Sequence, residues 1–133
     1  ILIATPTLVE FRRRMKELGA TSRVIDDAIS AYEEMADEIV SIDKAAAEAE
    51  YLDARNRLFD VLMAWMADLL RLKVNGGGLD FPESAPALRS IAEAESEGRL
   101  LKRMEALDSL RRTLETNAFE PLAIEVGFLK AFG

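Results

Sequence analysis

No glycine or proline interrupts the chain between Ala20 and Val74. Nothing in such a stretch stops an α-helix, and apolar residues recur through it at helical spacing: Ile25, Ile29, Tyr32, Met35 or Ala36, Ile39 and Ile42. Taken as one element it is a helix of about fifty residues, roughly 75 Å long. Helices of that length are rare in compact domains. The expectation is therefore a bend or break near Ser41-Ile42-Asp43, or an arm projecting from the body. The residues leave open whether 22–73 is one helix or two. The middle of the stretch, Ala45 to Glu50, favours helix but carries little bulk to bury.

From Tyr51 the pattern thickens. Leu58, Leu62, Trp65, Leu69 and Leu72 form one row, and Phe59, Met63, Met66 and Leu70 form the next. An apolar face about half the helix wide marks a central helix touched on two sides. Upstream, Thr5-Pro6 reads as a helix start, with Thr as cap and Pro in the first turn. Leu8, Phe11, Met15 and Leu18 follow at helical spacing, and Gly19 stops the run. Thr21 or Ser22 opens the long stretch.

Beyond Val74, Leu79 and Phe81 are apolar anchors in a loop. Ser84 and Pro86 start a short helix with Leu88, Ile91 and Ala92 inward. Ser96 caps the next helix, about Arg99 to Glu115, whose inward positions include Leu100, Met104, Leu107, Leu110 or Arg111, and Leu114. A hinge at Thr116-Asn117-Ala118 leads to an apolar closing helix, Pro121 to Phe132, which demands burial in its own domain or against another subunit. No segment alternates as a strand does. The expected fold is all-α: one domain over 1–133, a compact bundle of five or six helices, with one long acidic helix or helix pair in its first half. Leu58, Leu62, Trp65, Leu69, Met104 and Leu107 are expected in the core. Leu122, Val126, Leu129 and Phe132 are the candidates for a subunit interface. The residues do not say which apolar faces are core and which are interface.

Composition narrows the chemistry. The chain has 133 residues, no cysteine, no histidine and a net charge of −7. Disulfides, thiolate metal sites and imidazole general bases are therefore excluded. The absence of cysteine is compatible with an intracellular home. The acidic balance weighs against a surface that grips nucleic acid as a whole. The charge is uneven: Asp26 to Asp53 holds ten acidic residues against Lys44. Arg12, Arg13, Arg14, Lys16 and Arg23 form one basic cluster, and Arg99, Lys102, Arg103, Arg111 and Arg112 another. Both read as solvated helix faces. No apolar run is long enough to cross a membrane as a helix, and Ile1 to Ala4 is too short for a signal-peptide core. The start at Ile1 rather than Met points to a piece of a longer protein.

Two patterns invite a site. Asn75-Gly76-Gly77-Gly78 could be a phosphate loop, but such loops follow a strand and end in a lysine at a helix start. This one follows a helix, with no lysine after it, and reads as a helix stop. The second is Glu33-Glu34-x-x-Asp37 followed by Glu50-x-x-Asp53. It resembles the magnesium site of the all-α nucleoside triphosphate pyrophosphatases, where acids on two facing helices hold the ion. On one continuous helix Glu34 and Asp53 lie roughly 28 Å apart and cannot share a metal. No metal, cofactor or catalytic residue is assigned on this basis. Trp65 and the methionines at helical spacing read as core rather than pocket.

From about Arg57 the chain resembles the C-terminal helical domain of the δ′ subunit of the bacterial DNA polymerase III clamp loader. The resemblance is carried by Trp65 to Lys73, by Leu79-Asp80-Phe81-Pro82, and above all by Glu115-Thr116-Asn117-Ala118 followed by Leu122 to Lys130. It covers about the last 75 residues, and its motifs are mostly of core type. The acidic Ser22–Asp53 stretch is loosely similar to some δ′-like sequences. Ala118 departs from the family's usual valine. The AAA+ module that precedes this domain in the family, with its zinc knuckle and Ser-Arg-Cys motif, is not in these residues; the start at Ile1 fits a chain cut just after it. The resemblance implies a non-catalytic collar domain, cytoplasmic, without cofactor, that packs with the equivalent domains of the γ/τ and δ subunits. DNA is met only through the complex, which loads the sliding clamp for the polymerase III holoenzyme, and no membrane is involved. Two other readings compete: a magnesium-dependent pyrophosphatase using Glu33, Glu34, Asp37, Glu50 and Asp53, and an unrelated helical adaptor.

Overall fold

The computed structural model describes residues 4–38, 44–116 and 118–133. They form α1 (Ala4–Glu17), α2 (Ser22–Glu38), α3 (Lys44–Lys73), α4 (Ala85–Ala94), α5 (Glu97–Leu114) and α6 (Glu120–Phe132), with a 3-10 turn at Pro82–Ser84. No strand occurs among the described residues, and the helices pack as one bundle. The fold is all-α, as expected.

The uninterrupted stretch is two helices rather than one. α2 ends at Glu38, α3 begins at Lys44, and the two pack side by side. Tyr32 lies beside Tyr51, and Val24 and Ala28 share a groove with Val61, so the pair runs antiparallel. The physical reason is burial. Ile25, Ile29 and Tyr32 would face water on a projecting arm, whereas laid against α3 they join the core. The expected break at Ser41-Ile42-Asp43, and the stripe positions Ile39 and Ile42, lie outside the described residues.

Local chemistry sets the other boundaries. Thr21 Oγ1 accepts from the Val24 amide at 3.4 Å, and Ser96 Oγ from the Arg99 amide at 3.1 Å, so each satisfies a free N–H at a helix start. α1 begins at Ala4, which places Thr5 inside the first turn beside Pro6 and not at the cap. It ends in a Schellman motif: Ala20 N–H donates to the Met15 carbonyl at 3.0 Å and Gly19 N–H to that of Lys16 at 3.0 Å. Gly19 adopts φ +87°, which its missing side chain permits. α3 ends the same way. Gly76 N–H donates to the Arg71 carbonyl and Asn75 N–H to that of Leu72, with Asn75 at φ 57°. The glycine run is thus a helix stop.

α3 is the central element and packs against α1, α2, α4 and α5. Leu58, Leu62, Trp65 and Leu69 are fully buried, as are Phe59 and Met66 in the adjacent row. The indole Nε1–H of Trp65 donates to the Leu18 carbonyl at 2.8 Å, so the ring is buried with its polar atom satisfied. From α5 the core takes Leu100, Leu107, Leu110 and Leu114. Met104, expected with them, is only half-buried at the core's edge, because the neighbouring Arg103 turns inward instead. α6 lies against α5 and α1.

The loop after α3 is pinned by Asp68, which is fully buried. Its carboxylate accepts from the amides of Asp80 at 2.9 Å and Phe81 at 2.8 Å, and from Arg71 Nη1 at 2.7 Å. The Phe81 ring then rests against Trp65, centroids 5.1 Å apart. The end of α3 and the loop Leu79–Pro82 are therefore joined by one buried carboxylate.

Candidate functional site

Among the described residues no group of three or more acidic side chains is placed to hold a metal ion. The fold-back of α2 on α3 removes the 28 Å separation expected between Glu34 and Asp53. The acids do not converge inward, however. Tyr32 and Tyr51 occupy the buried sides of the two helices, and Glu33, Glu34, Glu50 and Asp53 point to solvent. The side chain of Asp37 lies outside the described residues. An open groove of about 920 Å³ between α2, α3 and the start of α4 has Val24, Ala28, Val61 and Phe81 in its walls and Arg23, Asp27 and Glu83 at its rim. These charges are all exposed, and Ser84 is the buried polar side chain in the lining.

The feature that stands out is α6, which is apolar on two opposite sides. Its inner face, Ile124, Gly127, Phe128 and Ala131, is buried. The approach to α5 is so close that a Cβ at position 127 would lie 2.6 Å from the methyl carbons of Leu110. The outer face carries Leu122, Val126 and Leu129, with Phe119 just ahead of the helix. Their exposures are 56, 40, 57 and 72 % respectively. Spaced three, four and three residues apart, these four form a straight stripe along the helix. Isolated exposed leucines are ordinary, whereas these apolar side chains are aligned in one row on one helix.

Phe132 does not belong to this stripe. It is half-buried, stacks on Phe128 with ring centroids 6.0 Å apart, and lies under the guanidinium groups of Arg14 and Arg103 at 4.9 and 5.2 Å. These two arginines, expected on solvated faces, are buried. Arg14 is held by Glu10 and Glu17 at 3.1 and 3.0 Å, and Arg103 by Glu95 at 2.9 Å. Other arginines of the two clusters pair with acids at the surface. Arg12 pairs with Asp26, Arg111 with Asp60 and Arg112 with Asp108. Lys16, Arg23 and Lys102 stay exposed without an ion-pair partner among the described residues.

The start of α6 is fastened from below. Glu120 accepts from Thr7 Oγ1 at 3.2 Å, from the Tyr51 hydroxyl and from Arg55 Nη1, while Arg55 Nη2 donates to the Leu114 carbonyl at 3.2 Å. One carboxylate thereby ties α6 to α1 and α3, and its arginine partner ties it to the end of α5. Burial, the hydrogen bond to Glu120 and that residue's negative charge push the Tyr51 hydroxyl far above the usual tyrosine range. Burial, then the charge of Glu120, pushes Tyr32 up to about 12. The Tyr32 hydroxyl meets no partner at hydrogen-bond geometry, the Tyr51 hydroxyl being near enough only to offset part of the rise. The sequence gives no local sign of the Arg55–Glu120 pair, whose members are 65 positions apart. The site is thus a rigidly seated helix that presents apolar side chains outward.

No protein-family model matches the chain, and no curated protein or solved structure does either.

Proposed function

We propose that this chain is a non-catalytic assembly domain. By its resemblance it belongs in the collar of a bacterial clamp loader, packing there with the equivalent domains of γ/τ and δ. The observation that carries the reading is the outer stripe of α6, Phe119, Leu122, Val126 and Leu129, displayed by a helix whose other side is locked into the core. A ring of helical domains requires such faces. It also requires them held still, because a preordered helix loses little entropy on docking. The Glu120 network and the close fit of Gly127 on Leu110 supply that order.

The test is co-purification of the parent protein with the τ and δ subunits. Leu122→Asp and Leu129→Asp should abolish assembly while leaving the circular dichroism of the chain unchanged, because both side chains are exposed. Phe132→Asp is unsuitable, since it would strike the core. Assembly indifferent to both substitutions overturns the reading. So does magnesium-dependent hydrolysis of deoxynucleoside triphosphates that is lost in Glu34→Gln.

A further inference from the structure

The stripe on α6 has a repeat and two flanking charges that specify more than a generic apolar partner. Phe119 and Val126 are seven residues apart, as are Leu122 and Leu129. In coiled-coil terms Val126 occupies an a position, with Phe119 at the preceding one just ahead of the helix, and Leu122 and Leu129 occupy d positions; β-branched Val126 at a with leucine at d favours two strands. Glu125 and Lys130 then fall at g and the following e, on opposite edges of the stripe. Both are exposed, and neither has an ion-pair partner within the chain among the described residues.

We infer that α6 pairs in parallel and in register with α6 of a second copy of this chain. A two-fold axis along the helices brings the glutamate edge of one against the lysine edge of the other. Glu125 of each copy then meets Lys130 of its mate, twice, while Leu122 and Leu129 close the seam. An antiparallel two-fold pair would set like edges together, Glu125 beside Glu125 and Lys130 beside Lys130, and is disfavoured. Two heptads are too few to form a coiled coil from free peptides. Here the helix is already folded on its domain, so pairing adds only docking. The patch is smaller than a standard interface, so the dimer is weak and appears on concentration. The inference goes beyond the collar reading, and loader subunits that dock on the same face would compete with the second copy.

Sedimentation velocity on the chain, over a concentration series reaching about 1 mM, reads the dimer directly. The wild type should dimerise. Leu122→Asp should stay monomeric at every concentration while remaining folded, because an acid in the first turn of a helix is compatible with its dipole. Glu125→Lys and Lys130→Glu should each raise the dissociation constant about tenfold, having replaced two attractions by two repulsions. Mixing these two variants should restore wild-type association, since every edge contact is again between opposite charges. A wild type monomeric throughout overturns the pairing. So does a dimer unaffected by Leu122→Asp, and so does a mixture no tighter than its components. A monomeric chain whose parent still assembles through Leu122 refutes the pairing and leaves the collar intact; a dimer alongside Leu122-independent loader assembly does the reverse.

Discussion

Removing Glu120 by Glu120→Ala should be among the costliest single changes in this chain. The side chains of Arg55 and Glu120 are only 5 and 15 % exposed. Loss of one partner from such a pair leaves the other charge buried and uncompensated, at about 3–5 kcal/mol. Arg55 would retain only the Leu114 carbonyl, and the Tyr51 and Thr7 hydroxyls would lose their acceptor. Each of these hydroxyls loses a charge-assisted bond, worth about 1.5–3 kcal/mol before water replaces the carboxylate. The residual exposure of Glu120 admits water to the gap and holds the total near 3–5 kcal/mol. With unfolding entropy near 2.1 cal/mol/K per residue, the midpoint of the 133-residue chain falls by about 10–18 °C. Urea unfolding at neutral pH, followed by circular dichroism, measures this for Glu120→Ala, Arg55→Met and the double variant Arg55→Met/Glu120→Ala. The double variant should cost about 2 kcal/mol less than the sum of its parts, because the pair is removed together. A loss below about 1 kcal/mol for Glu120→Ala, or simple additivity, would refute the account of α6 as fastened through a buried ion pair.

Three other outcomes follow from the same coordinates. Asp68→Ala should cost about 2–4 kcal/mol, because it strips two backbone donors and an arginine of their acceptor. It should also abolish hydrogen-exchange protection at the amides of Asp80 and Phe81; protection retained there would show that the loop is held by other means. Tyr32→Phe should be close to neutral in stability at pH 7, because the hydroxyl it removes has no hydrogen-bond partner. The third outcome concerns alkali. With Tyr32 raised from 10.0 to about 12 in the folded chain, the unfolded state ionises first. Stability from this group is therefore complete below pH 10 and falls as pH rises toward 12. Urea midpoints from pH 9 to pH 11.5 should fall less steeply for Tyr32→Phe than for wild type; parallel slopes would remove the linkage.

The boundaries of this fold were legible where the chemistry is local. Thr21, Ser96 and Gly19 act within a few residues of themselves, and each stands where its cap or stop is needed. The thick double row of α3 likewise announced a central helix. What the chain did not announce was anything decided across it. Ala45 to Glu50 is equally content in a straight rod or in the first turns of a returning helix, so only the apolar face of α2 and its need for cover determine the fold-back. The arginines show the same limit. Arg14 and Arg103 looked solvated because charge normally is, and nothing beside either of them reveals that Phe132 will lie beneath both. For α6, composition said that the helix must be covered but not from how many sides. By sequence Leu122, Val126, Leu129 and Phe132 are equal candidates for an interface, and they separate only once Ile124, Gly127, Phe128 and Ala131 are seen to face α5 and α1.

Gly127 gives the last of these a further meaning. Since only the Leu110 side chain separates α5 from α6 at that point, the distance between the two helices is set by the Gly127 backbone against the Leu110 methyl groups. Any larger residue at 127 must displace the Leu110 side chain or push α6 outward. The beginning of the helix is tethered through Glu120 and its end through Phe132 beneath Arg14 and Arg103, so the displacement falls on the turns between, where Val126 and Leu129 stand. A position that never reaches the surface therefore sets the pitch at which the stripe meets whatever docks on it. Alanine there would act on partner recognition from inside the bundle, with every residue of the contact face still in place.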